Sequence, residues 1–130
     1  MAPLAQPWWF NAQNLGSLVP YRWCWEVPAG RIEGQNSELT VQQELREEIG
    51  AICGEISYIS MFYVSNGVSN ECCKVYLAQN VELQAESQPE LSELLYRVTV
   101  PYSKAIELVH SGEMTDGPSA LALLLCEAYV

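Results

Sequence analysis

The sequence predicts an α/β domain, a mixed β-sheet sandwiched between α-helices. Three observations carry that expectation. Apolar residues recur with period two in some stretches and with helical period in others. The predicted elements run strand, helix, three strands, two helices. Gly, Pro and Asn mark most of the boundaries between them. The 130 residues make a single domain spanning 1–130, with 1–20 as an N-terminal arm or edge strand. Hydrophobic residues are 49% of the chain, enough for a core, so whole-chain disorder is excluded.

Taken in order, Trp8–Phe10 reads as a short strand in a segment broken by Pro3, Pro7 and Pro20. From Tyr21 to Val27, the residues Tyr21, Trp23, Trp25 and Val27 alternate with Arg22, Cys24 and Glu26, which is a strand with an aromatic face. Ser37 to Ile49 reads as a helix, with Ser37 as N-cap, Glu38 in the first turn and Gly50 as terminator. Val41, Leu45 and Ile49 form its apolar stripe. Ile56–Tyr63 predicts a strand ending at the turn Ser65-Asn66-Gly67, and Cys72–Ala78 and Leu94–Val100 predict two more. Pro101 opens a helix over Tyr102–His110 that closes at Gly112. Asp116 caps a final apolar helix, roughly Pro118–Ala128. His110 sits where a cation suits the end of a helix.

Sixteen acids against six bases give a net charge of −10. That field repels nucleic-acid backbones and anionic membrane surfaces, so neither is an expected partner. The N-terminal residues lack a secretory pattern. The apolar run Ala120–Cys126 is too short to span a bilayer. Five cysteines without a C-x-x-C spacing suit reduced thiols in the cytoplasm rather than a disulfide framework or a zinc site.

The chemistry concentrates in one helix. Glu44, Glu47 and Glu48 stand at i, i+3 and i+4, spacings that share a helix face. Such a cluster is either a solvated acidic face or a set of hard oxygen ligands for Mg²⁺ or Mn²⁺. Spacing alone leaves both open.

The stretch WEVPAGRIEGQNSELTVQQELREEIGA, Trp25 to Ala51, resembles the box of the Nudix hydrolases. Within that superfamily W-E-x-P-A-G-R-I-E is similar to the ADP-ribose pyrophosphatase branch. The likeness continues through Phe62-Tyr63, Ser65, Gly67, Ser69 and Glu71, then Val75–Ala78, and Val100-Pro101 with Ala105, Gly112-Glu113 and Asp116. It covers about residues 21 to 127, with box loop and helix at 30–51. The resemblance implies the Nudix fold and hydrolysis of nucleoside diphosphate sugars such as ADP-ribose to a nucleoside monophosphate and a sugar phosphate. It implies Mg²⁺ or Mn²⁺ held by Glu44, Glu47, Glu48 and the Ala29 backbone, and substrate contacts at Gly30, Arg31 and Glu71. Glu48, Glu93 and Glu90 become the candidate catalytic acids, with Glu93 ahead of Glu90 as general base. Arg31 and Arg97 are candidates for gripping phosphate oxygens. A homodimer is expected, and Trp8, Trp9 and Trp23 pack at its interface or in the core, ahead of the alternative that one of them stacks on the nucleotide base.

Departures from the pattern are specific. One residue is missing between Gly30 and the helix. The first box glutamate falls at Gln35, and the box arginine, which braces the metal-binding carboxylates in the family, falls at Gln43. Gln43 can hydrogen-bond but cannot neutralise charge. These departures, with the short segment before Pro28, motivate the alternative of a catalytically weak or silent Nudix-like domain that binds a nucleotide or a protein partner.

Overall fold

The computed structural model describes the backbone of residues 8–14, 23–32, 36–84 and 95–130, and within those the side chains of 24–32, 36–84 and 98–130. The expected α/β class is what the chain adopts. Its elements are β1 (Trp8–Asn14), β2 (Trp23–Glu26), α1 (Ser37–Ile49), β3 (Ala51–Ile52), β4 (Glu55–Tyr63), β5 (Cys72–Gln79), β6 (Glu82–Leu83), β7 (Leu95–Val100), α2 (Tyr102–Ser111) and α3 (Gly117–Cys126). A 3₁₀ turn, Glu127–Tyr129, follows α3, so the last helix is shorter than the sequence predicts.

The described strands form three antiparallel sheets where one mixed sheet was expected. One has the order β2-β1-β7, and the others are the pairs β3-β6 and β4-β5. In the first sheet Asn14 faces Trp23 across β1-β2, and Trp8 faces Val100 across β1-β7. The side chains of Trp8, Trp9 and Trp23 lie outside the described residues, and with them the expected aromatic interface. Among the described residues no helix is long and apolar enough to cross a membrane, and all five cysteines are free.

Three buried clusters hold the layers together. Ala105, Leu108, Met114 and Leu123 join α2 to α3, and Trp25, Val27 and Val100 pack against them. Leu45 and Ile49, the predicted stripe, bury against Ala51 with Val41 and Ala78 at the margin. Val75 and Leu77 of β5 meet Cys126 of α3 in the third. Helix α3 therefore lies between the end of the first sheet and the β4-β5 pair. Helix α1 is held by β3 and the end of β5, so the box helix sits on fixed supports.

Helix α1 spans the predicted residues, but its cap moves by one. Asn36 Oδ1 accepts the N–H groups of Glu38 and Leu39 at 3.0 and 3.3 Å. Ser37 is the first helical residue, and its hydroxyl is hydrogen-bonded to the Tyr76 hydroxyl on β5. Asn and Ser are equally good caps; the partner on β5 decides between them. At the other end Gly50 adopts φ 63, ψ 37, a conformation that glycine reaches without cost, and its N–H returns to the Arg46 carbonyl. Asn36→Ala is expected to lower stability by about 0.5–2 kcal/mol in urea unfolding. Ser37→Ala should leave the cap intact.

Candidate active site

Strand β2 delivers the segment Val27-Pro28-Ala29-Gly30 onto the face of α1. Two hydrogen bonds fix it. Ala29 N–H donates to Glu48 Oε2 at 3.1 Å, and Val27 N–H donates to Ser119 Oγ of α3 at 3.1 Å. Pro28, between them, has no N–H to satisfy and a fixed φ. Glu48 is only 6% exposed, an unusual place for a carboxylate unless it is partnered. The Glu44 carboxyl lies directly over Gly30, in the space that a Cβ there would occupy. Absence of a side chain at Gly30 is therefore what admits Glu44.

These groups open into a cleft of about 1610 Å³. It is lined by the turn and α1, with Ala29, Gly30, Arg31, Glu44 and Glu48, and by β5, with Lys74 and Tyr76, and Glu71 just before it. The sequence-predicted residues Glu44, Glu48, Ala29, Gly30, Arg31 and Glu71 are thus brought to one cleft. Glu90 and Glu93 lie outside the described residues, as do Gln35 and the side chain of Arg97.

Of the three clustered glutamates, Glu47 is the one that the structure does not bring there. Its Oε1 accepts from Gln43 Nε2 at 2.9 Å, and with Leu39, Gln42 and Arg46 it borders a separate depression on the solvent side of α1. The reason is rotational. At about 100° per residue, Glu48 falls about 40° from Glu44 toward the buried stripe, while Glu47 falls about 60° the other way. The i, i+3, i+4 spacing places all three on a broad face, but burial of Val41, Leu45 and Ile49 turns only one side of it toward the cleft.

Nothing in the sequence marks Lys74, Tyr76 or Ser119 as a site residue. Lys74 and Tyr76 carry only the signal of sitting on a strand beside the box helix. Ser119 shows only the cap spacing from Asp116, whose Oδ2 accepts from both Ser119 N–H and Ser119 Oγ.

Beyond the acidic pair, the cleft runs to the buried Cys126 thiol and to Tyr102. Burial pushes Cys126 up from its ordinary 9.0 to about 11. Burial, helped by Glu127 and Cys126, pushes Tyr102 to about 12, and its hydroxyl donates to the Leu123 carbonyl at 2.7 Å. Both groups are neutral when protonated, and unfolding restores their ordinary ionisation. The unfolded thiol therefore loses its proton near pH 9, while the folded one keeps it until about pH 11. The Cys126 contribution is complete below pH 9 and is lost progressively as pH rises to about 11. The urea midpoint is expected to fall across that window and to fall less steeply in Cys126→Ala.

The chain is 33% identical over 100 residues to the ADP-ribose pyrophosphatase of Bacillus subtilis (strain 168), a match covering 75% of this chain and 54% of that one. It is 30% identical over 120 residues to the GDP-mannose pyrophosphatase of Salmonella typhi, covering 88% and 58%. The chain thus spans little more than half the length of these curated relatives. No protein-family model matches. Its backbone superposes on the crystal structure of an ADP compounds hydrolase with a TM-score of 0.81, at 14% identity, over 97% of this chain and 67% of that one. The chain has the Nudix fold. It resembles the ADP-ribose pyrophosphatase branch of the Nudix hydrolases; α1 and the turn before it carry the stretch that resembles the Nudix box.

Gln43, at the position where the resembled pattern has an arginine, gives its amide to Glu47. Among the described residues no three His, Cys, Asp or Glu side chains gather to hold an ion. What the cleft offers is a pair of hard carboxylates, Glu44 and Glu48, beside the exposed backbone of Ala29 and Gly30. Mg²⁺ is commonly held by one or two carboxylates together with substrate phosphates and water. The residues present fit an ion shared with a phosphate; they do not form an all-protein cage.

Proposed function

We propose that this chain hydrolyses the pyrophosphate link of a nucleoside diphosphate sugar, ADP-ribose among the candidates, with Mg²⁺ or Mn²⁺ as cofactor. Water adds to one phosphorus, the bridging P–O bond breaks, and a nucleoside monophosphate and a sugar phosphate leave. The observation that carries the reading is the buried Glu48, bonded to Ala29 N–H with Glu44 over Gly30 beside it. The names of the relatives point to the same class of reaction.

Glu44, Glu48 and the Ala29 backbone would hold the ion. When bound, such an ion offsets pyrophosphate charge and lowers the pKa of water. Arg31 and Lys74 put two cations on a cleft that is otherwise acidic, where they can face phosphate oxygens. Glu71, which lines the same cleft, would contact the substrate. Glu93, then Glu90, remain our candidates for the base that takes the proton from water. Glu47 is assigned an indirect part, through Gln43 rather than through the ion.

The test is release of monophosphate from a panel of nucleoside diphosphate sugars with Mg²⁺ or Mn²⁺ and an EDTA control. Metal-dependent release supports the reading, and the best substrate names the base and sugar. The replacement of the box arginine by Gln43 favours one second reading, a silent domain that binds a nucleotide. A nucleotide sugar that raises the melting temperature without being consumed under any metal would establish that reading instead.

A further inference from the structure

The turn that carries Ala29 and Gly30 is tied from both sides, and only one of the ties is to the Nudix helix. The other is a relay on α3. Val27 N–H donates to Ser119 Oγ at 3.1 Å, and Ser119 Oγ donates to Asp116 Oδ2 at 2.6 Å. Asp116 also accepts Ser119 N–H at 3.1 Å, which caps α3. Ser119 is 2% exposed, so water does not replace these bonds easily. A hydroxyl can accept one hydrogen bond and donate another at once, and both capacities are in use.

We propose that Ser119 is a positioning residue for the Glu44–Glu48 site. It sets the height of the Val27–Gly30 turn over α1, and so the distance from which Ala29 N–H meets Glu48 and Gly30 receives Glu44. The purpose of that positioning rests on the hydrolase reading; the tether itself does not. Losing the Ser119 hydroxyl strands Val27 N–H and frees the turn to tilt about its remaining bond to Glu48. Groups that orient ligands in this way commonly change metal affinity 10–100-fold when removed.

The experiment compares the full chain with Ser119→Ala, Ser119→Thr, Asp116→Asn and Ile59→Ala. It reads exchange of the Ala29 amide by NMR and Mn²⁺ affinity by electron paramagnetic resonance. Ile59 packs on the β5–α3 cluster without lining the cleft itself, and controls for lost stability alone. Ser119→Ala is expected to speed Ala29 exchange at least about tenfold and to weaken Mn²⁺ binding about 10–100-fold. Ser119→Thr, which keeps the hydroxyl, restores both. Asp116→Asn shifts both in the same direction by less, and carries the test if Ser119→Ala does not fold. Unchanged Ala29 exchange without the relay, or the same changes in Ile59→Ala, overturns the proposal. A parent chain that binds no Mn²⁺ counts against the hydrolase reading, and the Ala29 amide then decides the tether by itself.

Discussion

Glu48→Gln is expected to remove turnover by two orders of magnitude or more while the protein stays folded. Glutamine keeps the shape of the side chain and an oxygen that can accept Ala29 N–H, the 3.1 Å bond that ties turn to helix. It removes the charge. A divalent ion's stabilisation of a phosphoryl transition state is worth several kcal/mol, and about 1.4 kcal/mol is a factor of ten in rate. Loss of the more buried of the two carboxylates proposed to hold it is therefore expected to cost at least about 10²-fold, with a melting temperature close to the parent's. Glu47→Gln provides the contrast. Glu47 faces away from the cleft and bonds Gln43, so its neutralisation is expected to change turnover by less than about threefold, the scale of a surface interaction of a few tenths of a kcal/mol. Steady-state kinetics on both variants, with Mg²⁺ titrated, decide the matter. Equal losses in the two would sink the two-carboxylate site.

That contrast also shows what the sequence did and did not display. The bounds of α1 were legible because Gly50 ends it in a conformation few other residues take, and because Val41, Leu45 and Ile49 keep one stripe. The direction of each glutamate was latent in the same stripe. Glu48 lies on its near side and Glu47 on its far side, but spacing alone treats i+3 and i+4 as equivalent. Strands β3 and β6 were not legible, since two residues carry no period. The cap at Asn36 and the tie from Val27 to Ser119 share a cause. Each depends on a partner remote in sequence, Tyr76 for Ser37 and α3 for β2, and local signals do not encode remote partners.

Gly30→Ala is expected to be the most damaging small substitution in the turn, and its damage should fall on activity more than on stability. The new methyl group would overlap the Cγ, Cδ and Oε1 atoms of Glu44. Those atoms are the far end of a flexible side chain, so the conflict resolves by moving the carboxyl rather than by unfolding the chain. Glu44 then leaves the place where it stands beside Glu48. Alternatively the turn lifts, which stretches the Ala29–Glu48 bond instead. Either way one group of the candidate site is displaced by about the width of a methyl group, and misplacement by about 1 Å can cost 10²-fold in rate. The melting temperature should change little, because Gly30 is exposed and its backbone is not in the left-handed region. Turnover and Mn²⁺ affinity should fall together. A second change, Glu44→Asp on the Gly30→Ala background, shortens the colliding side chain by one methylene and should recover part of the Mn²⁺ affinity. Recovery would place the conflict between Gly30 and Glu44; a Gly30→Ala protein with parental turnover and affinity would remove Glu44 from the site.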